Sequence, residues 1–306
     1  MIIITASVHP SFTETLVEKG IPYFLNIGIS YEDLLPHLKE ATGIVVSTHI
    51  KVDANLIDHA PQLQWIGRLG SGMEHIDIAY AQKKNIACYS SPEGNCNAVA
   101  ELALGSLLSL MRNIHISHSE VKQSIWQREK NRGTELSGKT IGIIGFGNTG
   151  SAFAKLLSSF GVRVLYYDKY SAPKMEFGAI PSTMENISDE ADIISFHLPL
   201  TKETEHFADD SFFNSLRKCP IVINTSRGSV VNTSALIEAL KSKKISGAVL
   251  DVLENEDLKS MNENEKQEFE TLVQAPNVII TPHIGGYTHE ATLKMSSILL
   301  EKIGYL

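Results

Sequence analysis

A chain of 306 residues is long enough for two domains, each with a core of ordinary size. With 43% hydrophobic and 20% charged residues the composition is globular, which excludes a chain that stays unfolded. Thirty-five acidic against 27 basic side chains leave a net charge of −8 and argue against nucleic acid or an anionic membrane surface as the main partner. Cys88, Cys96 and Cys219 are too few and too scattered for a disulfide framework or a zinc cluster. No metal is expected, and a reducing compartment is.

The run Met1-Ile2-Ile3-Ile4-Thr5 lacks a basic region and a cleavage site, so it reads as a first strand rather than a leader. The most apolar stretch, residues 102–111, is bracketed by Glu101 and Arg112 and is shorter than the roughly 20 residues a bilayer span needs. No membrane partner is expected, and the expected location is the cytoplasm.

Short β-branched runs alternate with amphipathic stretches along the chain. Strands are predicted at residues 2–5, 44–46, 65–68 and 86–89, with helices at 31–40, 54–60 and 76–83. A longer helix is predicted over 97–114, where Val99, Leu102, Ala103, Leu107, Leu110, Met111 and Ile114 form one stripe. A polar stretch, 123–138, follows. A second series then supplies strands at 141–145, 162–168, 193–197, 221–224, 248–251 and 278–281, and Ala291, Met295, Ile298 and Leu299 mark a final helix. This alternation implies an α/β fold with two doubly wound parallel sheets, each covered on both faces.

The sharpest local signal is Gly145-Phe146-Gly147-Asn148-Thr149-Gly150, which follows one strand and opens a helix. Gly145 permits the tight turn, Gly147 lets a pyrophosphate approach the backbone, and Gly150 lets helix and strand pack closely. The helix N-terminus offers free N–H groups to phosphate. The next strand ends in Asp168, 18 positions beyond Gly150, where a carboxylate can accept both ribose hydroxyls of an adenosine. It would repel a 2′-phosphate, and Lys169 and Tyr170 follow rather than an arginine, so NAD is favoured over NADP.

Three later segments lie at or just after predicted strand ends: Asn224 to Gly228, Leu250 to Glu256, and Thr281 to Gly286. In an open parallel sheet those ends line the ligand crevice. They deliver Arg227, one or two of the carboxylates Glu254 and Glu256, and His283 to a single edge. Arginine matches a carboxylate with a planar fork, and histidine exchanges a proton near neutral pH. Together they suit proton-coupled reduction of a 2-oxo acid.

These segments, with Gly67-Arg68-Leu69-Gly70-Ser71-Gly72, Asn95 to Glu101, Leu136-Ser137-Gly138-Lys139 and His197-Leu198-Pro199-Leu200-Thr201, resemble the D-isomer-specific 2-hydroxyacid dehydrogenases of phosphoglycerate dehydrogenase or glyoxylate/hydroxypyruvate reductase type. The resemblance implies a flavodoxin-like substrate domain from residues 1–95 and 285–306, and a Rossmann NAD-binding domain from 96–284. It implies that Arg227 binds substrate, that His283 is the acid/base and that Glu256, the later of the two glutamates, is its partner. Arg68, Ser71, Gly72 and Asn95 would hold the substrate, a small 2-oxo or 2-hydroxy acid. Gly145, Gly147, Asn148, Thr149, Gly150 and Asp168 would hold the adenosine and pyrophosphate of NAD. His197, Pro199, Thr204, Thr225, Arg227, Asp251, His283 and Gly285 complete the implied cofactor contacts.

A homodimer built on the long helix and its neighbours is also implied. Two departures stand out: Glu74 replaces a usual aspartate, and Asp257 replaces a usual proline, which is expected to loosen the loop carrying Glu256. An NAD-sensing, corepressor-like binding protein on the same scaffold is the alternative from another functional class.

Overall fold

The computed structural model describes residues 1–172 and 174–306 and divides into two compact units, Met1–Ala98 with Gly286–Leu306, and Val99–Gly285. The first boundary falls inside the helix Pro92–Met111, so no linker composition marks it.

In the first unit the strands are β1 (Ile2–Ile4), β2 (Tyr23–Leu25), β3 (Gly43–Val46), β4 (Trp65–Arg68) and β5 (Ala87–Ser90). They pair in parallel in the order β2-β1-β3-β4-β5, the flavodoxin-like arrangement. Ile2, Ile3 and Ile4 are all 0% exposed, because β1 is covered on both faces and has no solvent side to alternate with. The edge strand β2 and the helix Pro10–Glu18 carry no clear signal in the sequence and are additions to the predicted elements. The helix expected over 31–40 is a short α-helix, Tyr31–Leu34, that tightens into a 3-10 helix, Leu35–Glu40, as Pro36 removes a backbone donor.

The long helix begins at Pro92, earlier than the predicted 97. Pro92 and Gly94 read as breakers in the sequence, yet proline is tolerated in the first turn. Gly94 is needed because a Cβ there would stand 2.6 Å from the backbone nitrogen of Met295, in the C-terminal helix His289–Lys302. At the other end the helix stops at Met111 rather than 114. Asn113 takes a left-handed conformation (φ 52°), and a separate helix, Ile114–Lys122, follows. The C-terminal helix packs Met295, Leu299 and Leu300 with Phe12, Leu16 and Trp65 of the same unit.

The second unit contains β6 (Thr140–Ile144), β7 (Arg163–Tyr167), β8 (Ile180–Pro181), β9 (Ile193–Phe196), β10 (Ile221–Asn224), β11 (Gly247–Leu250) and β12 (Val278–Ile280). The order is β12-β11-β10-β9-β6-β7-β8, the dinucleotide-binding arrangement with one further strand. The further strand is β12, which extends the sheet beyond β11, and the very short β8 on the opposite edge is absent from the predicted series. Because β6 pairs with both β7 and β9, the chain departs in opposite directions on either side of β6. A crevice at the carboxyl ends of the strands follows from that switch. Two apolar layers sandwich the sheet, one around Phe196, Phe213 and Leu236, the other around Leu107, Phe153 and Leu157.

The helices Met184–Glu190, Asp210–Ser215, Thr233–Lys241 and Glu263–Gln274 open on Thr183, Asp209, Asn232 and Asn262, whose side chains accept backbone N–H bonds. Among the described residues no helix is long and apolar enough to cross a membrane.

Candidate active site

The glycine loop joins β6 to the helix Asn148–Leu157. Gly145 has φ 92°, and a Cβ there would overlap the carbonyl oxygen of His197. A Cβ on Gly150 would overlap the carbonyl oxygen of Gly145, whereas the side of Gly147 is open. The helix is capped by Gly147 with no side-chain bond, which leaves its first N–H groups available, and Asn148 and Thr149 form its first turn. This open, donor-lined turn fits a pyrophosphate.

Asp168 stands just past β7. Its carboxylate accepts from the backbone of Phe146 (2.8 Å), Tyr170 (2.9 Å) and Ser171 (2.8 Å). Burial raises its pKa, but these bonds outweigh that and hold it below the usual carboxylate value, so the group stays charged. The same side chain thereby ties the glycine loop to the segment after β7.

His197 lies just past β9, under the loop. Nε2 is 2.9 Å from the hydroxyl of Ser195 and Nδ1 is 3.2 Å from that of Thr149. Burial pushes its pKa down to about 4, so the ring is neutral near pH 7. Ser195 is not among the residues singled out in the sequence, although its two-residue spacing from His197 on a strand places both on one face. Pro199 and Thr204 share the next turn, where the Thr204 hydroxyl donates to the Pro199 carbonyl at 2.6 Å.

Past β10, the Thr225 hydroxyl oxygen is buried with no hydrogen-bond partner among the described residues. Arg227 donates to the Ser226 carbonyl at 2.6 Å, and its own carbonyl accepts from the Asn224 side chain at 2.9 Å. A Cβ on the next residue, Gly228, would overlap the Leu253 carbonyl, so this glycine lets the arginine loop touch the loop that carries the glutamates. No pattern in the sequence announces that role.

The two glutamates separate clearly. Glu256 Oε2 lies 2.8 Å from His283 Nδ1. Glu254 instead meets His206 Nε2 at 3.1 Å and the backbone N–H of Thr233 at 2.6 Å. Asp257 makes two local bonds in this segment. Its N–H donates to Asn255 Oδ1 at 3.0 Å and its carboxylate accepts from the Lys259 backbone at 3.1 Å.

His283 has φ 54°, an uncommon conformation for a non-glycine residue. Asp251, only 2% exposed, holds the turn around it by accepting from the Thr281 hydroxyl at 2.5 Å and the backbone of Ile284 at 2.9 Å and Gly285 at 2.7 Å.

The remaining candidates, those expected to hold the substrate, belong to the first unit. Arg68, 8% exposed at the end of β4, packs so that a Cβ on Gly70 would stand 2.9 Å from its Nη1. Ser71 and Gly72 continue that loop, whose Gly70 N–H donates to the Ser91 hydroxyl at 3.3 Å. Asn95 Oδ1 is buried with no hydrogen-bond partner among the described residues.

Residues 104–285 match the NAD-binding domain of the D-isomer specific 2-hydroxyacid dehydrogenases. The chain belongs to that family. The matched residues fall within the second unit and include the open glycine loop. The chain is 35% identical to D-3-phosphoglycerate dehydrogenase 1 of Saccharomyces cerevisiae, an alignment that covers 91% of this chain and 60% of the yeast protein. It is 36% identical to a glyoxylate reductase of Thermofilum pendens over 88% of this chain and 79% of that protein. The D-lactate dehydrogenase of Aquifex aeolicus, solved with NAD and lactic acid, superposes with a TM-score of 0.85 at 28% identity, covering 99% of this chain and 93% of that one. The chain thus spans little more than half the length of the phosphoglycerate dehydrogenases it matches.

The buried histidine leads to a prediction. A histidine near 6.5 when unfolded and about 4 when folded takes up protons on unfolding within that window. The protecting contribution is complete above about pH 6.5 and is lost as pH falls towards 4, in total about 3 kcal/mol. Urea denaturation of His197→Gln across pH 4–7 should give a flatter stability profile than wild type.

Proposed function

We propose that the chain is an NAD-dependent D-2-hydroxyacid dehydrogenase acting on a small 2-oxo/2-hydroxy acid of phosphoglycerate or hydroxypyruvate/glyoxylate type. The observation that carries this reading is the 2.8 Å pair of His283 and Glu256 on the same sheet edge as Arg227. Bound NADH supplies a hydride to the carbonyl carbon in the direction of reduction. Arg227 binds the carboxylate and carbonyl oxygen of the substrate through its guanidinium. His283 gives the proton from Nε2 to the carbonyl oxygen, while Glu256 holds Nδ1–H and so fixes the tautomer and the ring plane. In the reverse direction the same nitrogen accepts the proton.

Asp168 is the proposed partner of the adenosine ribose, and Thr149 and Gly150 of the pyrophosphate. The unpartnered Thr225 hydroxyl and the turn held by Asp251 are the proposed neighbours of the nicotinamide carboxamide. In the first unit, Ser71, Gly72 and Asn95 are the proposed substrate contacts. The burial of Arg68 against Gly70 supports a role in bracing that loop, which favours an unphosphorylated acid. The free state of Cys88, Cys96 and Cys219 supports a reducing, cytoplasmic location. The proposed homodimer would use the exposed apolar row Ile114, Val121, Ile125 and Trp126, the last 78% exposed.

Three tests follow from these roles. With hydroxypyruvate or glyoxylate and NADH, His283→Ala should lower kcat by roughly 10²–10⁴, the usual worth of a general acid, and Glu256→Gln by less. No turnover by wild type with any member of a 2-oxo acid panel would replace the enzyme reading with that of an NAD-sensing protein. Arg68→Ala should reduce kcat/KM for hydroxypyruvate and for 3-phosphohydroxypyruvate by similar factors. A selective loss of about 10- to 100-fold with the phosphorylated acid would instead assign Arg68 to the phosphate. Sedimentation should show a dimer for wild type and a shift towards monomer for Trp126→Ser.

A further inference from the structure

Beyond the ribose carboxylate, the second unit carries a cluster that the proposed chemistry does not use. Lys169 directly follows Asp168 after β7, and Glu203 lies in the turn after β9. The two strands flank β6, so a contact between their loops crosses the carboxyl end of β6, above the glycine loop. Such a contact exists. Lys169 Nζ stands 2.6 Å from Glu203 Oε2, and the Tyr170 hydroxyl donates to the same oxygen at 2.9 Å. The ammonium also lies 5.4 Å from the centroid of the Tyr170 ring, within reach of a cation–π contact. Glu203 is itself placed by its turn, where its backbone N–H donates to the Thr201 hydroxyl at 3.3 Å.

The position of Lys169 matters because of what it could otherwise do. A dinucleotide whose adenosine ribose meets Asp168 presents its 2′ position to the residues just beyond that carboxylate. A cation there is what accommodates a 2′-phosphate. Glu203 answers that cation with a full opposite charge, and a second donor, Tyr170, holds the carboxylate in place.

We propose that Glu203 is a specificity-determining residue for the cofactor: by holding Lys169 across the end of β6, it withholds that ammonium from a ribose 2′-phosphate and so reinforces the discrimination exerted by Asp168. The inference deepens the cofactor reading and rests on Asp168 meeting the ribose. A 2′-phosphate must compete with Glu203 for Lys169. The pair is half exposed on both sides, at 55% and 59%, so water and salt screen it and the effect is a moderate one.

The test measures binding rather than turnover. Dissociation constants of NADH and NADPH are determined by titration calorimetry for wild type, Asp168→Ser, and Asp168→Ser combined with Glu203→Gln, with or without Lys169→Met. Asp168→Ser alone should weaken NADH and narrow its advantage over NADPH; a ratio unchanged from wild type would remove the ribose reading on which the proposal stands. Adding Glu203→Gln should improve NADPH relative to NADH by about 3- to 10-fold, as a freed surface cation gains an anionic partner. Adding Lys169→Met as well should abolish that gain. A ratio that Glu203→Gln does not move would overturn the proposal. A gain that persists without Lys169 would also overturn it, since Glu203 would then act only as a repelling charge. Tyr170→Phe, which removes one bond to Glu203 without altering charge, should give a gain in the same direction but smaller.

Discussion

A buried carboxylate must be compensated, and the way Asp251 is compensated organises the whole site. At 2% exposure it cannot rely on water, so it takes three donors from one short segment, the Thr281 hydroxyl and the N–H groups of Ile284 and Gly285. These bonds fold the chain after β12 back over the end of β11. They flank His283 and hold it at a positive φ that a free chain would seldom adopt. The imidazole then meets Glu256, which follows Asp251 by five residues past the end of β11. One charge thus aligns two neighbouring strand ends and the pair of groups that would handle the proton.

The other half of the edge follows the same logic with weaker groups. Asp168 gathers three backbone donors from two segments, and the His197 ring is fixed between the hydroxyls of Ser195 and Thr149. A charged imidazole would be costly in that enclosed place, and burial keeps it neutral. The glycine loop is therefore held from both flanking strands. Gly145, Gly150 and Gly228 mark the points where two backbones come closer than a side chain allows. Rigid surroundings of this kind suit a site that must place a cofactor and a proton donor in fixed register.

Much of this is legible in the linear chain because it depends on local spacing. The runs 65–68 and 221–224 coincide with β4 and β10, since buried parallel strands are short β-branched or apolar segments with few alternatives. The elements that pattern does not reveal are those whose local signal is ambiguous. The strand β2 is a half-exposed edge, β8 has only two residues, and the start of the helix at Pro92 is disguised by residues that elsewhere break helices. The four helices that open on Thr183, Asp209, Asn232 and Asn262 are also additions to the predicted elements, although each carries an N-cap side chain.

By itself the sequence determined the α/β class, the dinucleotide loop and the presence of a carboxylate after the next strand and of an arginine, a histidine and two glutamates at strand ends, because each is a matter of residue type and interval. Which glutamate faces His283 was a different kind of question. Glu254 and Glu256 are two residues apart, and nothing in their neighbours distinguishes them; only the family resemblance pointed to the later one. Tertiary structure separated them by giving Glu254 to His206 and the start of the helix Thr233–Lys241, leaving Glu256 for His283. The same holds for Lys169, whose partner lies 34 residues away. Long-range contacts of this sort depend on how strands order themselves in the sheet, and that order is set by packing of the whole unit rather than by any segment of it.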